Sequence, residues 1–461
     1  MTANPSFSVT GKRVVVVGAA SSGIAAAELL VRRGATVTLT DRRDTIAEDA
    51  QMRDAGVHLE LGGHRPQTLL AADLIVLSPG VPPAQPAIAQ ARAAGVPVIG
   101  EMELASRWLR GRVVAITGTK GKSTTTTLAG RMLEAAGHHV LVGGNIGLAL
   151  SAQVDASTEH TIHVVEASSF QLEGTDTFHP WIAVLLNFSS DHLDRHADMP
   201  EYAAAKARIF ANQTPDDWAV LNADDEASQM IAQEARSQRL RFAIERDLPA
   251  GIVVADDAIV RRSGGGDQVL VPLSSVKLLG RHLLADVAAA AAVASLAGVE
   301  PDAMARAVEG FTGLEHALEP VTELGGVRFI NDSKATNIEA ARRAIQSFGP
   351  GLVVILGGKF KGGDFADLRD ALTARAASVV AIGEAAPLIH QALEPALPVL
   401  DAADMVAAVR TAFAMASPGQ AVLLAPACAS FDMFVNYAER GRVFKREVRR
   451  LAEEWSETRE Q

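Results

Sequence analysis

Along almost the whole chain, short apolar runs alternate with segments of helical periodicity, the pattern that parallel βαβ units require. Strands are expected at Arg13–Val17, at Thr36–Thr40 running out to Asp41, and at Leu74–Leu77, with a helix over Gly23–Arg33. A second block opens with a buried strand at Val113–Thr117 and continues with strands at Thr161–Glu166, Ile182–Asn187 and Trp218–Leu221. Ile252–Pro272, with its Gly264-Gly265-Gly266 turn, reads as a small antiparallel excursion. The Ala-rich stretch Leu283–Leu296 and then Ala303–Val308 read as helices. A third block restarts at Val327–Asn331 and passes through Leu352–Leu356, Ser378–Ile382, Val399–Leu400 and Ala421–Leu424. It ends in a charged helix over Glu439–Trp455. These restarts divide the chain into 1–106, 107–313 and 314–461.

At 461 residues the chain is too long for one ordinary core, which agrees with that division. Its charge is 43 − 54 = −11 with no basic stripe to offset it, so nonspecific binding to nucleic acid or to a membrane surface is disfavoured. Any phosphate must therefore be held locally, by loops and helix ends. The single cysteine, Cys428, excludes an intrachain disulfide and a multi-cysteine zinc site, and reads as a small buried thiol. No apolar signal core precedes the first strand, and Leu283–Ala297 is too short and too Ala-rich to span a bilayer. A cytoplasmic chain is expected.

The strongest local signal is Thr117-Gly118-Thr119-Lys120-Gly121-Lys122-Ser123-Thr124, directly after a strand. Amides of such a turn point at phosphate oxygens, and the following helix adds partial positive charge. Lys122 can reach the β and γ phosphates of a nucleotide, and the Ser123 hydroxyl can ligate Mg²⁺. Ile116 stands where the first glycine of the generic phosphate-loop pattern belongs, so this is a shorter variant. The bland alternative is a basic glycine turn without a nucleotide.

Three further residues are ambiguous alone. Glu166 ends a strand, as a mere strand-end charge or as a ligand to a hard cation near the phosphate loop. His192 lies between Asp191 and Asp194, as a structural imidazole or a neutral metal ligand. Lys206, within Ala203-Ala204-Ala205-Lys206-Ala207-Arg208, reads as a solvated helix lysine. Near the start, Gly18-Ala19-Ala20-Ser21-Ser22-Gly23 with Asp41 approaches the dinucleotide fingerprint, but Ala20 replaces its second glycine. That is a weak signal for NAD and a reasonable one for another phosphorylated nucleotide.

Taken together, these motifs resemble the Mur ligases of peptidoglycan synthesis, over essentially the whole chain. The resemblance rests on the Thr117–Ser123 loop, Gly143-Gly144-Asn145-Ile146-Gly147, Glu166–Gln171 and Asp191-His192-Leu193-Asp194. It also rests on Asn331-Asp332-Ser333-Lys334-Ala335-Thr336-Asn337 and Pro426-Ala427-Cys428-Ala429-Ser430. It implies an α/β protein of three domains: Rossmann-like, central phosphate-loop ATPase with a mostly parallel sheet, and Rossmann-like again. The nearest branch implies an ATP-dependent, amide-forming ligase that adds D-glutamate to UDP-N-acetylmuramoyl-L-alanine through an acyl phosphate. A monomer is expected.

By the resemblance, Gly118 to Thr124 with Asp286, Asn331 and Asp332 would bind ATP, and two Mg²⁺ ions would be held by Ser123, Glu166, His192 and Lys206. Lys206 would act as a carbamate, and Lys122, Glu166, His192 and Lys206 would be the catalytic set. Ser21, Ser22, Asp41, Arg42, Ser78, Pro79, Gly80 and Asn145 would hold the UDP-linked substrate, and Lys334, Thr336, Lys361, Ser430 and Tyr437 the glutamate.

The chain departs from the family's pattern in several places. His282-Leu283-Leu284-Ala285-Asp286 stands for His-Asn-x-x-Asn, His316-Ala317 for His-Arg, and Tyr437 for Phe. The first three changes put the family's adenine and phosphate contacts there in question. Alternative readings are a related ligase for L-glutamate or another amino acid, and a noncatalytic nucleotide sensor on the same scaffold. The diaminopimelate- or lysine-adding relatives carry an Asp-Asn-Pro-Arg motif that is absent here. Folylpolyglutamate synthase lacks the first domain.

Overall fold

The structure, a computed structural model, describes residues 7–191, 195–277 and 281–460. It is α/β, with three sheets. The first holds β1 (Arg13–Val17), β2 (Thr36–Asp41), β3 (His58–Leu61), β4 (Leu74–Leu77) and β5 (Val98–Gly100), all parallel, in the order β3-β2-β1-β4-β5. The second holds β6 (Arg112–Thr117), β7 (His139–Gly144), β8 (Thr161–Glu166), β9 (Ile182–Leu185), β10 (Trp218–Asn222), β11 (Gln238–Ala243), β12 (Gly251–Ala255), β13 (Ala258–Ser263) and β14 (Gly266–Pro272). Their order is β14-β13-β12-β11-β10-β9-β6-β8-β7. Only β12–β13 and β13–β14 pair antiparallel, so the expected excursion extends this sheet rather than standing apart.

The third sheet holds β15 (Glu319–Leu324), β16 (Val327–Asn331), β17 (Leu352–Gly357), β18 (Ser378–Ile382), β19 (Val399–Asp401) and β20 (Ala421–Leu424). Its order is β15-β16-β20-β17-β18-β19, antiparallel only at β15–β16. The closing helix, expected from Glu439, runs Tyr437–Glu460.

By packing, the chain forms two compact units: Met1–Val276 with His282–Gly310, and Lys277–Arg281 with Phe311–Gln461. The first unit contains two sheets because their helices share one core. Leu29, Met102 and Ala105, from helices beside the first sheet, pack with Val113, Ala115, Leu150 and Phe178 of the second. Helix Glu101–Ser106 is buried on every face. Its Glu103 carboxylate accepts the backbone N–H groups of Asp176, Thr177 and Phe178 at 2.8, 3.0 and 3.0 Å, and the Arg107 guanidinium at 2.8 Å. Burial pushes the Glu103 pKa up, but these donors outweigh it and hold the group below the usual carboxylate range. Beside it, Gly100 N–H donates to the Gly174 carbonyl at 2.8 Å, an approach so close that a Cβ on Gly174 would fall 2.7 Å from the Gly100 Cα.

Candidate active site

Strand β6 runs straight into the glycine turn, and helix Lys122–Ala135 begins at Lys122. The N-cap of that helix, Gly121, has φ +84°, a left-handed conformation that a side chain resists. Asn187 cradles the turn. Its Oδ1 accepts the N–H groups of Thr119 and Lys120 at 3.1 and 2.9 Å, and its Nδ2 donates to the Lys120 carbonyl at 3.1 Å. Lys122 Nζ lies 3.0 Å from the carbonyls of both Gly118 and Thr119, and Lys120 pairs with Asp191 at 3.0 Å. The turn is thus braced from behind, with Lys122, Ser123 and Thr124 at the start of the helix, where its positive end attracts anions.

Glu166 stands beside this turn because β8 pairs with β6 in the register Ile116↔Glu166. Its Oε1 accepts from Asn145 Nδ2 at 2.8 Å. Its other oxygen, Oε2, is buried and has no hydrogen-bond partner among the described residues. An unpartnered, buried carboxylate oxygen fits a hard cation better than it fits a structural role. His192, with Leu193 and Asp194, lies outside the described residues, and among those described no cluster of three ligating side chains is found.

The solvated reading of Lys206 is wrong. Its side chain is only 1% exposed; Nζ donates to the Gly118 carbonyl at 2.8 Å and lies 4.7 Å from the Tyr202 ring centre. Helix Met199–Ala207 turns this lysine inward onto the phosphate loop, which local sequence cannot reveal. Burial, reinforced by the nearby Lys122 ammonium, pushes its pKa well below the ordinary lysine value.

Asp286, on helix Arg281–Leu296, is pressed against the loop from the inside: a Cβ on Gly121 would meet its Oδ1 at 2.1 Å. Its carboxyl is buried under the turn, and burial drives its pKa well above 3.8, with Thr125 and Lys122 acting in the opposite direction. The folded state therefore keeps a proton that the unfolded chain releases, so stability falls as pH rises above about 4. Asp332, pushed up to about 7 by burial, acts in the same sense. We expect Asp286→Asn to melt higher than the parent near pH 8 and to lose part of the parent's decline between about pH 5 and pH 8. Melting scans of both proteins across that range check this, and parallel curves would contradict it.

A cavity of about 440 Å³ opens at the C-terminal ends of the first sheet's strands. Ser21, Ser22, Asp41, Ser78, Pro79, Gly80 and Asn145 line it. Arg43 lines it and Arg42 does not. The Asp41 carboxylate accepts Ala19 N–H at 2.7 Å and binds the Arg43 guanidinium, and this turns Arg43 rather than its neighbour inward. Burial raises the Asp41 pKa, but these hydrogen bonds win and hold it well below the usual range. Gln171 was also missed as a lining residue, although it closes the Glu166–Gln171 motif.

In the second unit, the loops that follow β16, β17 and β20 carry Lys334, Thr336, Lys361 and Ser430, and Tyr437 begins the closing helix. Arg440, 1% exposed, ties these loops together, donating to the carbonyls of Ser333, Cys428 and Ala429 at 2.9, 3.1 and 3.3 Å. The Ser333 hydroxyl in turn donates to the Tyr437 carbonyl at 2.7 Å. Asn331 is turned inward: its Nδ2 donates to Glu319 at 2.9 Å and lies 2.8 Å from His316 Nδ1. Asp332 Oδ1 accepts from Leu318 N–H at 3.0 Å.

The middle sheet, with its glycine turn between β6 and a helix, has the architecture of the phosphate-loop nucleotide-binding proteins. The family models "Mur ligase MurD-like, N-terminal domain", "Mur ligase middle domain" and "Mur ligase, glutamate ligase domain" match residues 12–100, 116–294 and 318–428. The chain belongs to the Mur ligase family. It is 48% identical over 440 residues to the UDP-N-acetylmuramoylalanine–D-glutamate ligase of Acidobacterium capsulatum, covering 94% of this chain and 95% of that one. It is 45% identical to the enzyme of the same name from Koribacter versatilis, covering 97% and 99%. In fold it is similar to UDP-N-acetylmuramate-alanine ligase MurC from Thermotoga maritima, with a TM-score of 0.61 at 18% identity, covering 95% and 99%.

Proposed function

We propose that this chain joins D-glutamate to UDP-N-acetylmuramoyl-L-alanine at the expense of ATP, as the names of its relatives state for them. The observation that carries this reading is the Gly118–Ser123 turn, braced by Asn187 and flanked by Glu166, Asn145 and buried Lys206. A carboxylate is a poor electrophile. Phosphorylation on oxygen makes an acyl phosphate, from which phosphate departs as the amine nitrogen attacks the carbonyl carbon. Lys122 offsets charge developing on the transferred phosphoryl oxygens, and the amides at the start of helix Lys122–Ala135 orient them. Asn145 fixes the Glu166 carboxylate while sitting on the wall of the cavity that would receive the UDP-linked acid.

Glu166, Ser123, His192 and a carbamylated Lys206 would hold Mg²⁺, which supplies charge neutralisation during phosphoryl transfer. In the second unit, Lys334, Thr336, Lys361, Ser430 and Tyr437 would receive glutamate, on loops that Arg440 ties together. We retain boundaries near residues 106 and 313, a monomeric state and a cytoplasmic location. No helix among the described residues is long and apolar enough to cross a membrane.

Phosphate release measured with ATP, UDP-N-acetylmuramoyl-L-alanine and each glutamate enantiomer tests the assignment. Release with the D form alone is expected. Release with L-glutamate alone would reassign the stereochemistry. Nucleotide binding without substrate-dependent release would replace the ligase by a sensor.

A further inference from the structure

Two residues outside the assigned site join its two ligand-holding regions. Arg195 donates from its guanidinium to the carbonyl of Val81 at 3.2 Å, at the end of the Ser78–Val81 turn that walls the first cavity. The same guanidinium lies 4.6 Å from the Phe170 ring centre and 3.7 Å from Glu173. The next residue, His196, is fully buried. Its Nε2 lies 3.0 Å from the Ser169 hydroxyl and its Nδ1 3.1 Å from Glu173 Oε1. Its ring stacks on Phe170 at 5.5 Å and meets Tyr202 at 5.0 Å. Tyr202 in turn places its hydroxyl 3.4 Å from Thr119 Oγ1 in the phosphate loop, and Asp191, a few residues earlier, pairs with Lys120 of that loop.

Short helix Ser169–Glu173 is gripped in the middle. It carries Ser169, Phe170 and Glu173 toward Arg195 and His196, and it carries Gln171 into the cavity wall. His196 is buried, hydrogen-bonded through Nε2 to Ser169, close to Glu173 at Nδ1 and packed between the Phe170 and Tyr202 rings, so the contacts it makes are set together. Displacing the Ser78–Val81 turn must therefore be felt by Arg195, by the helix, and through Tyr202 by Thr119.

We propose that Arg195 and His196 are positioning residues that couple the UDP-substrate cavity to the phosphate loop, so that filling one tightens the other. This rests on the proposed ligase reading, since both ligands come from it. Neither side chain need touch a reacting atom. Because binding linkage is reciprocal, the coupling is read equally from either ligand.

The test compares parent, Arg195→Ala, Arg195→Lys and Ser169→Ala. The affinity of a non-hydrolysable ATP analogue is titrated with and without UDP-N-acetylmuramoyl-L-alanine, beside steady-state kinetics. For the parent, the acceptor is expected to tighten the analogue by about fivefold or more. In Arg195→Ala and Ser169→Ala that ratio is expected to approach one. The KM for the UDP-linked acceptor rises, the KM for D-glutamate holds, and Arg195→Lys recovers part of the coupling. Ser169→Ala removes one hydroxyl and keeps the test available if Arg195→Ala fails to fold. A parent that turns over but shows no coupling, or an alanine variant that keeps it, overturns the proposal and leaves the ligase reading standing. A parent that releases no phosphate overturns the ligase reading itself and the proposal with it.

Discussion

Replacing Lys206 by alanine is expected to lower turnover by about a hundredfold to a thousandfold, the scale seen when one preorganised electrostatic contact is lost. The amine is buried against the phosphate loop, and burial together with Lys122 holds its pKa well below the ordinary value. A neutral amine is what reaction with CO₂ requires: the nitrogen lone pair bonds to carbon, one N–H proton leaves, and a carbamate anion remains. Such a carbamate would make this side chain an oxygen donor for the Mg²⁺ that Glu166 would also hold. Short carboxylates added to Lys206→Ala are expected to enter the vacated space and restore part of the rate. Lys206→Arg keeps a positive charge but forms no carbamate under these conditions, and is expected to stay inactive. A carbamate carbon signal from protein equilibrated with ¹³C-labelled CO₂, absent in both variants, provides a readout independent of turnover. Full activity of unrescued Lys206→Ala would make the lysine a packing residue.

The second large effect is expected at Gly121. Alanine there meets two separate obstacles. Its φ of +84° costs an L-residue about 1–2 kcal/mol. Its Cβ would also fall 2.1 Å from Oδ1 of the buried Asp286 carboxyl, which would have to shift. We expect Gly121→Ala to lose nucleotide affinity by more than about tenfold, equal to more than about 1.4 kcal/mol of binding, as calorimetric titration would report. Removing the obstructing carboxyl in Gly121→Ala/Asp286→Ala relieves the collision but not the backbone strain, so affinity is expected to return only in part. Undiminished binding by the single variant would show that the loop tolerates a Cβ and is not held as described.

Much of this architecture was legible from the chain. Runs such as Leu74–Leu77 and Thr161–Glu166 are rich in Leu, Ile and Val and buried throughout, and they form strands over those same residues. The strands that escaped notice carry charge or lie at edges. His58–Leu61 and His139–Gly144 are partly exposed edge strands, and in Gln238–Ala243 exposed Arg239 and Arg241 alternate with buried Leu240 and Phe242. Site residues divide the same way. The glycine turn announces itself because its backbone geometry is local, whereas Glu166, ambiguous alone, stands out only once that turn is beside it. Lys206 does not announce itself, since its burial depends on which face of an Ala-rich helix meets a loop far away in sequence. Nor does the choice of Arg43 over Arg42, which a hydrogen bond from Arg43 N–H to Asp41 decides at 2.9 Å.

The clasp around Glu103 has a consequence for how the gene can be cut. A fragment ending at residue 106 would keep Met102, Leu104 and Ala105 but lose the apolar surfaces that cover Met102 and Ala105. It would also strand a carboxylate whose amide donors lie some seventy residues downstream. The leading sheet is then not an independently expressible module. A soluble truncation has to carry the first two sheets together or neither.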